Sequence, residues 1–443
     1  MWMVAFWLPL ENPTMSSDIF NPKQLKIMKS LRLSLLVLFI AFVAMACQKS
    51  ESIIVLTNDT AVERVDEPVV ISRADLEKQM GTISDGFVPM LQAENGMVIP
   101  SQVDDLNGDG SWDELFLLAN VPAQSQTRLN VSLVNPGQLP VFIQRSNVWL
   151  ASPQDDGTYQ EVKSVARPAI TRENHGQTKR YFQFEGPGWE NDRVGFRNYF
   201  DERNGMDIFG KTTEVMILEN AGINEDYHVM QDWGMDILKV GASLGAGAIA
   251  LEVDGNLHRV GPGSEGSYEL VTNGPLRSIL RLQFDNWMIE ANTYNVTHEI
   301  TIYGGAWYYL STVYVEGLES NASIVTGITS LDLDDKQARF TDYENGIVSL
   351  STHGQQAIEG EYLGMAVMLE SEDYFDYEHL DANAPDINHT FAVKMKPGQS
   401  PVSYKFYSAW ELSDERFASS EGFSDLLQND AIMMGKPLRA KIK

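Results

Sequence analysis

The sequence predicts an all-β protein built as an antiparallel β-supersandwich with few short helices. Short runs of β-branched, aromatic or alternating residues recur along most of the chain. Clusters such as "NPGQLP", "NGPL" and "KPGQSP" separate these runs and are typical of turns. A simple β-sandwich usually ends at about 250 residues, so a strand-rich unit reaching to residue 443 favours two large stacked sheets.

The individual elements follow from the same patterns. The predicted strands cover residues 53–57, 69–72, 115–118, 128–133, 141–144, 214–218, 248–253, 278–284, 296–303, 308–315, 365–369 and 403–407. Two helices are predicted at 74–80 and 420–429, the second with Ser420 as its cap. No fixed-period repeat is present, which argues against a solenoid or a propeller.

The N-terminal region predicts an exported lipoprotein. Residues 1–46 combine a mis-called start with a signal peptide, because basic residues from Met28 precede the apolar run 33–46. Cys47 is the only cysteine and follows "AMA", so we expect it to accept a lipid, with 47–52 as a tether and 53–443 as one catalytic domain. An ordinary secretion signal with an incidental cysteine is the alternative. We therefore expect outer-membrane anchoring, facing the periplasm or the cell surface.

The net charge of −28 restricts the partners. Such an acidic chain is repelled by nucleic acid and by anionic membranes, so we expect no nucleic-acid partner and membrane contact only through the lipid anchor. An anionic oligosaccharide remains compatible, provided that basic residues gather locally.

The stretch "DLNGDGSWDE" has the spacing of a calcium loop. Asp105, Asn107, Asp109 and Asp113 occupy ligand positions of such a loop, although the closing bidentate Glu is missing. The sequence is equally compatible with a turn held by its own side chains. A structural Ca²⁺ is therefore possible, and no other cofactor is expected.

The stretch "WENDRVGFRNYF" sorts as a strand with two unlike faces. Val194 and Phe196 point to one side, whereas Arg193, Arg197 and Tyr199 point to the other. The planar guanidinium of Arg suits a carboxylate. That carboxylate is either a substrate's or one of the acidic residues nearby in the chain, and the pattern leaves both open.

A second polar stretch, "DYHVMQDWGMDILKVGASLGAG", also holds candidate site residues. These are Tyr227, His228, Asp232, Trp233 and Lys239. His228 is a candidate general acid or base, or else a structural histidine. Trp233 could stack on a sugar ring. Lys211 at the start of a turn and His298 on an apolar strand face are further candidates, each with a structural alternative.

Several stretches together resemble a known family. "VIPSQVDDLNGDGSWDELFLL", "WENDRVGFRNYFDERNGMDIFGK", "HVMQDWGMDILKVGASLGAG" and "FYSAWE" look like the bacterial lipoprotein family of domain of unknown function 4861. The resemblance covers residues from about 55 to 412. It implies a mutarotase-like supersandwich, polysaccharide utilisation, and an oligosaccharide dehydratase acting on uronate-rich glycans such as ulvan fragments.

Dehydration of a terminal uronate fits the candidate residues. Removing the C5 proton requires a cation at the adjacent carboxylate, a base near C5 and an acid near O4. We expect Arg197 with Arg193 to hold the carboxylate, His228 to be the base, and Tyr199 or Tyr227 to be the acid. The expected substrate-binding residues are Arg193, Lys211, Asp232, Trp233, Lys239 and His298. A polysaccharide lyase, a sugar mutarotase or epimerase, and a non-catalytic glycan-binding lipoprotein are the alternatives.

Overall fold

The computed structural model describes residues 52–333 and 337–443. The strands are β1 (Ser52–Asn58), β2 (Arg64–Ser72), β3 (Val88–Ala93), β4 (Val98–Ile99), β5 (Ser101–Asp104), β6 (Glu114–Val121), β7 (Ser125–Val134), β8 (Ser146–Trp149), β9 (Ala151–Pro153), β10 (Tyr159–Glu161), β11 (Ser164–Ala166), β12 (Gly188–Asn191), β13 (Val194–Asn198), β14 (Met206–Lys211), β15 (Gly234–Asp236), β16 (Ala246–Val253), β17 (Asn256–Arg259), β18 (Glu265–Asn273), β19 (Arg277–Ile289), β20 (Asn292–Tyr303), β21 (Tyr308–Glu316), β22 (Ala322–Thr329), β23 (Arg339–Asp342), β24 (Ile347–Gln355), β25 (Tyr362–Glu370), β26 (Tyr374–Leu380), β27 (Thr390–Met395), β28 (Val402–Trp410) and β29 (Arg439–Ile442). The α-helices of this region are α1 (Arg73–Met80) and α2 (Ser420–Gly435), and short 3₁₀ segments cover Pro136–Gln138, Arg172–Arg180 and Glu415–Ala418.

A nine-stranded sheet forms the centre of the fold. Its order is β11-β18-β19-β20-β21-β28-β25-β24-β23, and every neighbouring pair is antiparallel. Two five-stranded sheets, β15-β14-β13-β12-β8 and β17-β16-β22-β27-β26, pack on one of its faces. Phe196, Leu251, Ile300 and Phe406 are buried together between these layers. Alternation along each strand supplies the apolar side chains that meet there.

The opposite face of the central sheet is covered by other elements. Phe116 of β6, Tyr308 and Tyr407 of the central sheet, and Phe423 of α2 form a second buried cluster. The sheet β2-β6-β5 and the sheet β29-β1-β7-β3-β4 enclose a third cluster between them. The strand β29 therefore returns the C-terminal end of the chain to β1, with residues 54–57 pairing with 439–442.

The predicted antiparallel β-supersandwich with few short helices is confirmed. Two predicted strands are wrong. The segment 141–144 is irregular, with Val141 and Ile143 exposed. The segment 214–218 is also irregular, because the backbone N–H groups of Ile217 and Leu218 donate to the buried carboxylate of Glu190 instead of to a strand.

The ends of the predicted helices shift slightly. The second helix is capped by Ser419, not Ser420, since the Ser419 hydroxyl accepts the N–H of Gly422. The start, the signal peptide, Cys47 and most of the tether lie outside the described residues. Within the described ranges, no helix is both long and apolar enough to cross a membrane.

Candidate active site

The strand β13 has the two unlike faces that its sequence predicts. Val194 and Phe196 enter the main core, where the Phe196 ring lies 4.9 Å from that of Tyr309. Arg197 lies on the other face of the sheet, opposite Asp207 of β14 in the antiparallel register. The polar residues of β13 and β14 therefore collect on the outer face of this five-stranded sheet.

Arg197 is the centre of a buried network on that face. Its Nη2 donates to Asp207 Oδ2 at 2.7 Å and to Asp236 Oδ2 at 2.8 Å. Its Nη1 donates to the hydroxyl of Tyr227 at 2.9 Å, and Nη2 also reaches the hydroxyl of Tyr199 at 3.2 Å. Only 2% of the Arg197 side chain is exposed. The expectation that Arg197 holds a substrate carboxylate is therefore corrected, because two aspartates of the chain already occupy its guanidinium.

His228 lies at the surface of this network. Its side chain is 47% exposed, and its ring stacks on Tyr227 with the ring centroids 4.4 Å apart. The Nδ1 atom is 3.0 Å from Asp226 Oδ1, and Nε2 is 3.7 Å from Asp236 Oδ2. Both ring nitrogens thus face carboxylates, an arrangement that stabilises an imidazolium once the ring takes up a proton.

Burial controls the protonation of the residues behind His228. The pKa of Asp236 is raised well above its ordinary value by burial and then by the neighbouring charge of Asp207. Burial, followed by the charge of Asp207, likewise raises the pKa of Tyr199. The Tyr199 hydroxyl donates to Asp207 Oδ2 at 2.5 Å. Tyr199 is therefore protonated at neutral pH, and burial favours the neutral form of Asp236.

Two chain segments cover the outer face around the network. Phe184, before β12, and Leu218 and Tyr227, between β14 and β15, form a small apolar cluster with Phe209. Gln183 ties the two segments together, since its Nε2 donates to the carbonyl of Ala221 at 2.7 Å. The cover leaves His228 exposed and Tyr199 partly exposed. These two side chains are therefore the members of the network that solvent reaches most easily.

Lys211 helps to hold the covering segments in place. Its Nζ lies 2.6 Å from Glu190 Oε2 and donates to the carbonyl of Asn191, and neither charged side chain is exposed. The same Glu190 accepts the N–H groups of Ile217 and Leu218. The prediction that Lys211 binds substrate is corrected, because its amino group is enclosed in a buried ion pair.

The prediction that His298 binds substrate is also corrected. It is fully buried in β20, with Nε2 2.6 Å from the hydroxyl of Ser311. Burial lowers its pKa from 6.5 to about 3, so the ring is neutral. A side chain enclosed in the main core has no contact with a ligand, and His298 is a structural histidine.

The remaining predicted binding residues lie apart from the network. Arg193 pairs at the surface with Glu214, and Lys239 pairs with Asp332. Asp232 is exposed. Trp233 is half-buried against Phe209, and its Nε1 donates to Glu225. None of these side chains contacts Arg197 or His228, and their role in binding stays a prediction.

The predicted calcium loop joins β5 and β6. Both carboxylate oxygens of Asp105 accept backbone N–H groups, and Asn107, Asp109 and Asp113 each accept one as well. These bonds hold the turn by themselves. No group of three acidic, histidine or cysteine side chains suited to a metal ion occurs in residues 52–333 and 337–443. Ca²⁺ binding at this loop stays a prediction.

Sequence reasoning missed that two aspartates pair with Arg197. Asp207 alternates with Met206 and Ile208, whose side chains enter the core, so its outward orientation was available from the pattern. Asp236 is the last residue of β15 and pairs with Phe209 of β14. Only the strand register reveals that both carboxylates meet Arg197.

The comparisons with known proteins agree with the order of these motifs. A family described as "Domain of unknown function (DUF4861)" matches residues 56–440. The chain belongs to this family. A relative from Formosa agariphila, the uncharacterized protein P7, is 21% identical over 440 residues, which is 92% of this chain and 99% of the relative.

Two solved structures have a similar course of the chain at low identity. An alpha-mannosidase from Enterococcus faecalis V583 matches with 10% identity, a TM-score of 0.48 and 90% coverage of this chain. A glycosyl hydrolase family 38 protein from Enterococcus faecalis matches with 9% identity, the same TM-score and the same coverage. This chain spans 46% and 48%, about half, of those two proteins.

Proposed function

We propose that this DUF4861 protein is a carbohydrate-active enzyme that dehydrates the non-reducing-end uronate of anionic oligosaccharides such as ulvan fragments. The observation that carries the proposal is that a half-exposed histidine and a protonated tyrosine border the same buried Arg–Asp–Asp network. A β-elimination requires a base and an acid of these types.

His228 is the proposed base. It takes the C5 proton, the electrons of the C5–H bond form the C4=C5 double bond, and the C4–O4 bond breaks. The imidazolium that results lies 3.0 Å from Asp226. This carboxylate stabilises the positive charge as it appears, which lowers the barrier to proton removal.

Tyr199 is the proposed acid, in preference to Tyr227. Tyr199 is partly exposed, whereas Tyr227 is only 5% exposed and supports the His228 ring. Tyr199 gives its proton to O4, so that the hydroxyl leaves as water. The phenolate formed lies beside Arg197 Nη2, and it takes a proton back from solvent as His228 releases the one it accepted. Arg197 is therefore a positioning residue in this mechanism.

The decisive experiment incubates the protein with saturated uronate oligosaccharides and follows the mass loss of one water together with the ultraviolet absorbance of an unsaturated uronate. His228→Ala should lower kcat by about 10²–10⁴-fold, the usual contribution of a general base. Tyr199→Phe should do the same without a change in fold. His258→Ala, a partly exposed histidine of β17, is the matched control.

Other products would redirect the assignment. Release of a sugar with the double bond indicates a lyase that uses the same residues. Interconversion of free monosaccharides without a double bond indicates a mutarotase or an epimerase. Binding without turnover, more sensitive to Trp233→Ala than to His228→Ala, indicates a glycan-binding lipoprotein. Wild-type protein that turns over no uronate oligosaccharide contradicts the proposed dehydratase.

We also propose that Cys47 carries the lipid anchor and that the enzyme faces the periplasm or the cell surface from the outer membrane. A signal-like apolar run directly before this cysteine supports the proposal. Cys47→Ser should move the protein from the membrane fraction to the soluble fraction. Membrane association that survives this change would contradict it.

A further inference from the structure

Because Arg197 is buried and paired, the proposed reaction still lacks a cation for the substrate carboxylate. Elimination from a uronate needs a cation at the carboxylate, because negative charge builds up there as C5 loses its proton. The guanidinium of Arg197, which the sequence predicts for this role, is already paired with Asp207 and Asp236. The following inference rests on the proposed function and concerns which residue meets the substrate carboxylate.

Three cations lie against the two tyrosine rings of the site. The guanidinium carbon of Arg197 is 4.9 Å from the ring centroid of Tyr199 and 5.0 Å from that of Tyr227. Arg203 covers the Tyr199 ring at 4.1 Å. The Nζ atom of Lys179 lies 5.7 Å from the centroid of the Tyr227 ring. These three side chains are the candidates for the cation that binds the substrate carboxylate.

The two arginines are already paired. Arg197 has its two aspartates, and Arg203 grips Asp201 through Nε and Nη2 at 2.8–3.1 Å, with Glu185 at 3.5 Å. An arginine enclosed by carboxylates of its own chain gains little from another one, since its charge is already balanced. Neither guanidinium is therefore free to receive a substrate carboxylate.

Lys179 differs in both respects. It is exposed, and among the described residues no carboxylate lies within 4.0 Å of its Nζ. The backbone beside it is held in place, because the neighbouring Thr178 is fully buried and its hydroxyl donates to Asp201 Oδ2 at 2.7 Å. The pKa of Asp226, the carboxylate next to His228 Nδ1, is lowered mainly by hydrogen bonds from His228 and further by the charge of Lys179.

We propose that Lys179 binds the carboxylate of the terminal uronate. Its amino group and the imidazole of His228 both contact the ring of Tyr227. The carboxylate carbon of a uronate is bonded directly to C5, so the residue that neutralises the carboxylate must lie next to the base that attacks C5. Lys179 and His228 approach the same ring of Tyr227, and as an ammonium Lys179 offers a compact charge that follows the carboxylate as electrons move into it.

The test compares Lys179→Gln with Arg180→Gln. Both variants remove one exposed positive charge from adjacent positions of the same segment, but Arg180 has no contact with either tyrosine ring in the described structure. Lys179→Gln should lower kcat/KM on uronate oligosaccharides by roughly 10- to 100-fold, the range for losing a hydrogen bond to a charged group. Lys179→Arg should recover part of the loss, and Arg180→Gln should stay within about two-fold of wild type.

A second measurement separates carboxylate binding from a general effect of charge. Affinity for the same oligosaccharide with its terminal carboxylate reduced to an alcohol should be low for wild type and unaffected by Lys179→Gln. Equal losses in Lys179→Gln and Arg180→Gln, or an equal loss on the neutral oligosaccharide, overturn the proposal while leaving the dehydratase intact. A wild-type protein that binds the acidic and reduced oligosaccharides equally also overturns it. Absence of turnover in wild type contradicts the dehydratase separately, and titration calorimetry then still compares the variants.

Discussion

Replacing Arg197 by Met distinguishes a supporting arginine from one that holds substrate. Methionine fills a similar volume but removes the donors that reach Asp207, Asp236, Tyr199 and Tyr227. If Arg197 is part of the fold, the change lowers stability and kcat. If Arg197 instead holds substrate, the change raises KM and leaves the fold unaffected.

The magnitude follows from the burial of the three charged side chains. They are 1–3% exposed, and the ion-pair distances are 2.7 and 2.8 Å. Removing one partner of such a buried pair typically costs about 3–5 kcal/mol, because a buried charge is left unpaired. For a domain of this size, 1 kcal/mol corresponds to roughly 1.2 °C in the midpoint of thermal unfolding. We therefore expect the midpoint to fall by about 4–6 °C.

Calorimetry and steady-state kinetics test this expectation together. Arg193→Met is the matched control, since Arg193 pairs at the surface with an exposed Glu214 and its loss should stay within about 0.5 kcal/mol. An Arg197→Met protein with the thermal midpoint of wild type, an unchanged kcat and a raised KM would refute the positioning role. It would instead restore Arg197 as the carboxylate ligand.

Three further perturbations have defined outcomes. His298 binds a proton in the unfolded chain below pH 6.5 but in the folded chain only near pH 3, so its contribution to the free energy of unfolding is complete above pH 6.5 and is lost as the pH falls. Between pH 7 and pH 4, the free energy of urea unfolding should therefore fall by about 3 kcal/mol less in His298→Gln than in wild type. Equal losses in the two proteins would contradict a neutral histidine in the core. Lys211→Met leaves Glu190 buried without its partner and should cost about 3–5 kcal/mol in the same assay, against no change if the lysine only faces solvent. Calcium at 100 times its dissociation constant should stabilise the wild type by about 2.7 kcal/mol but should not stabilise Asp105→Asn or Asp109→Asn. A thermal midpoint of wild type that changes with neither calcium nor chelator would show that the loop is a turn without a bound ion.

Local alternation was sufficient to predict the strand that carries the site. Residues 194–198 form β13, with Phe196 inward and Arg197 outward, because the period of two is a property of the strand itself. The stretch around His228 was also recognised, and Tyr227 and His228 do meet Arg197 and its aspartates. Residue types that are costly to bury stand out in a sequence even when their partners do not.

The partners depend on contacts that local patterns do not contain. Asp207 meets Arg197 only because β13 and β14 pair in one particular register, and Asp236 joins them from a third strand. The failed strand at 214–218 has a similar cause. A carboxylate 27 residues earlier, on Glu190, accepts the N–H of Ile217 that a neighbouring strand would otherwise accept. A side chain that accepts a hydrogen bond in place of a neighbouring strand's backbone produces no periodic pattern in the sequence.

The buried network around Arg197 bears on how this acidic chain can receive an acidic substrate. Burial, followed by the charge of Asp207, raises the pKa of Asp236, which favours its neutral form and so reduces the negative charge behind His228. Lys179 lies outside this network, with its Nζ atom 5.7 Å from the centroid of the Tyr227 ring. In the proposed scheme its ammonium supplies the positive charge that the substrate carboxylate needs, while Arg197 stays paired with its own aspartates.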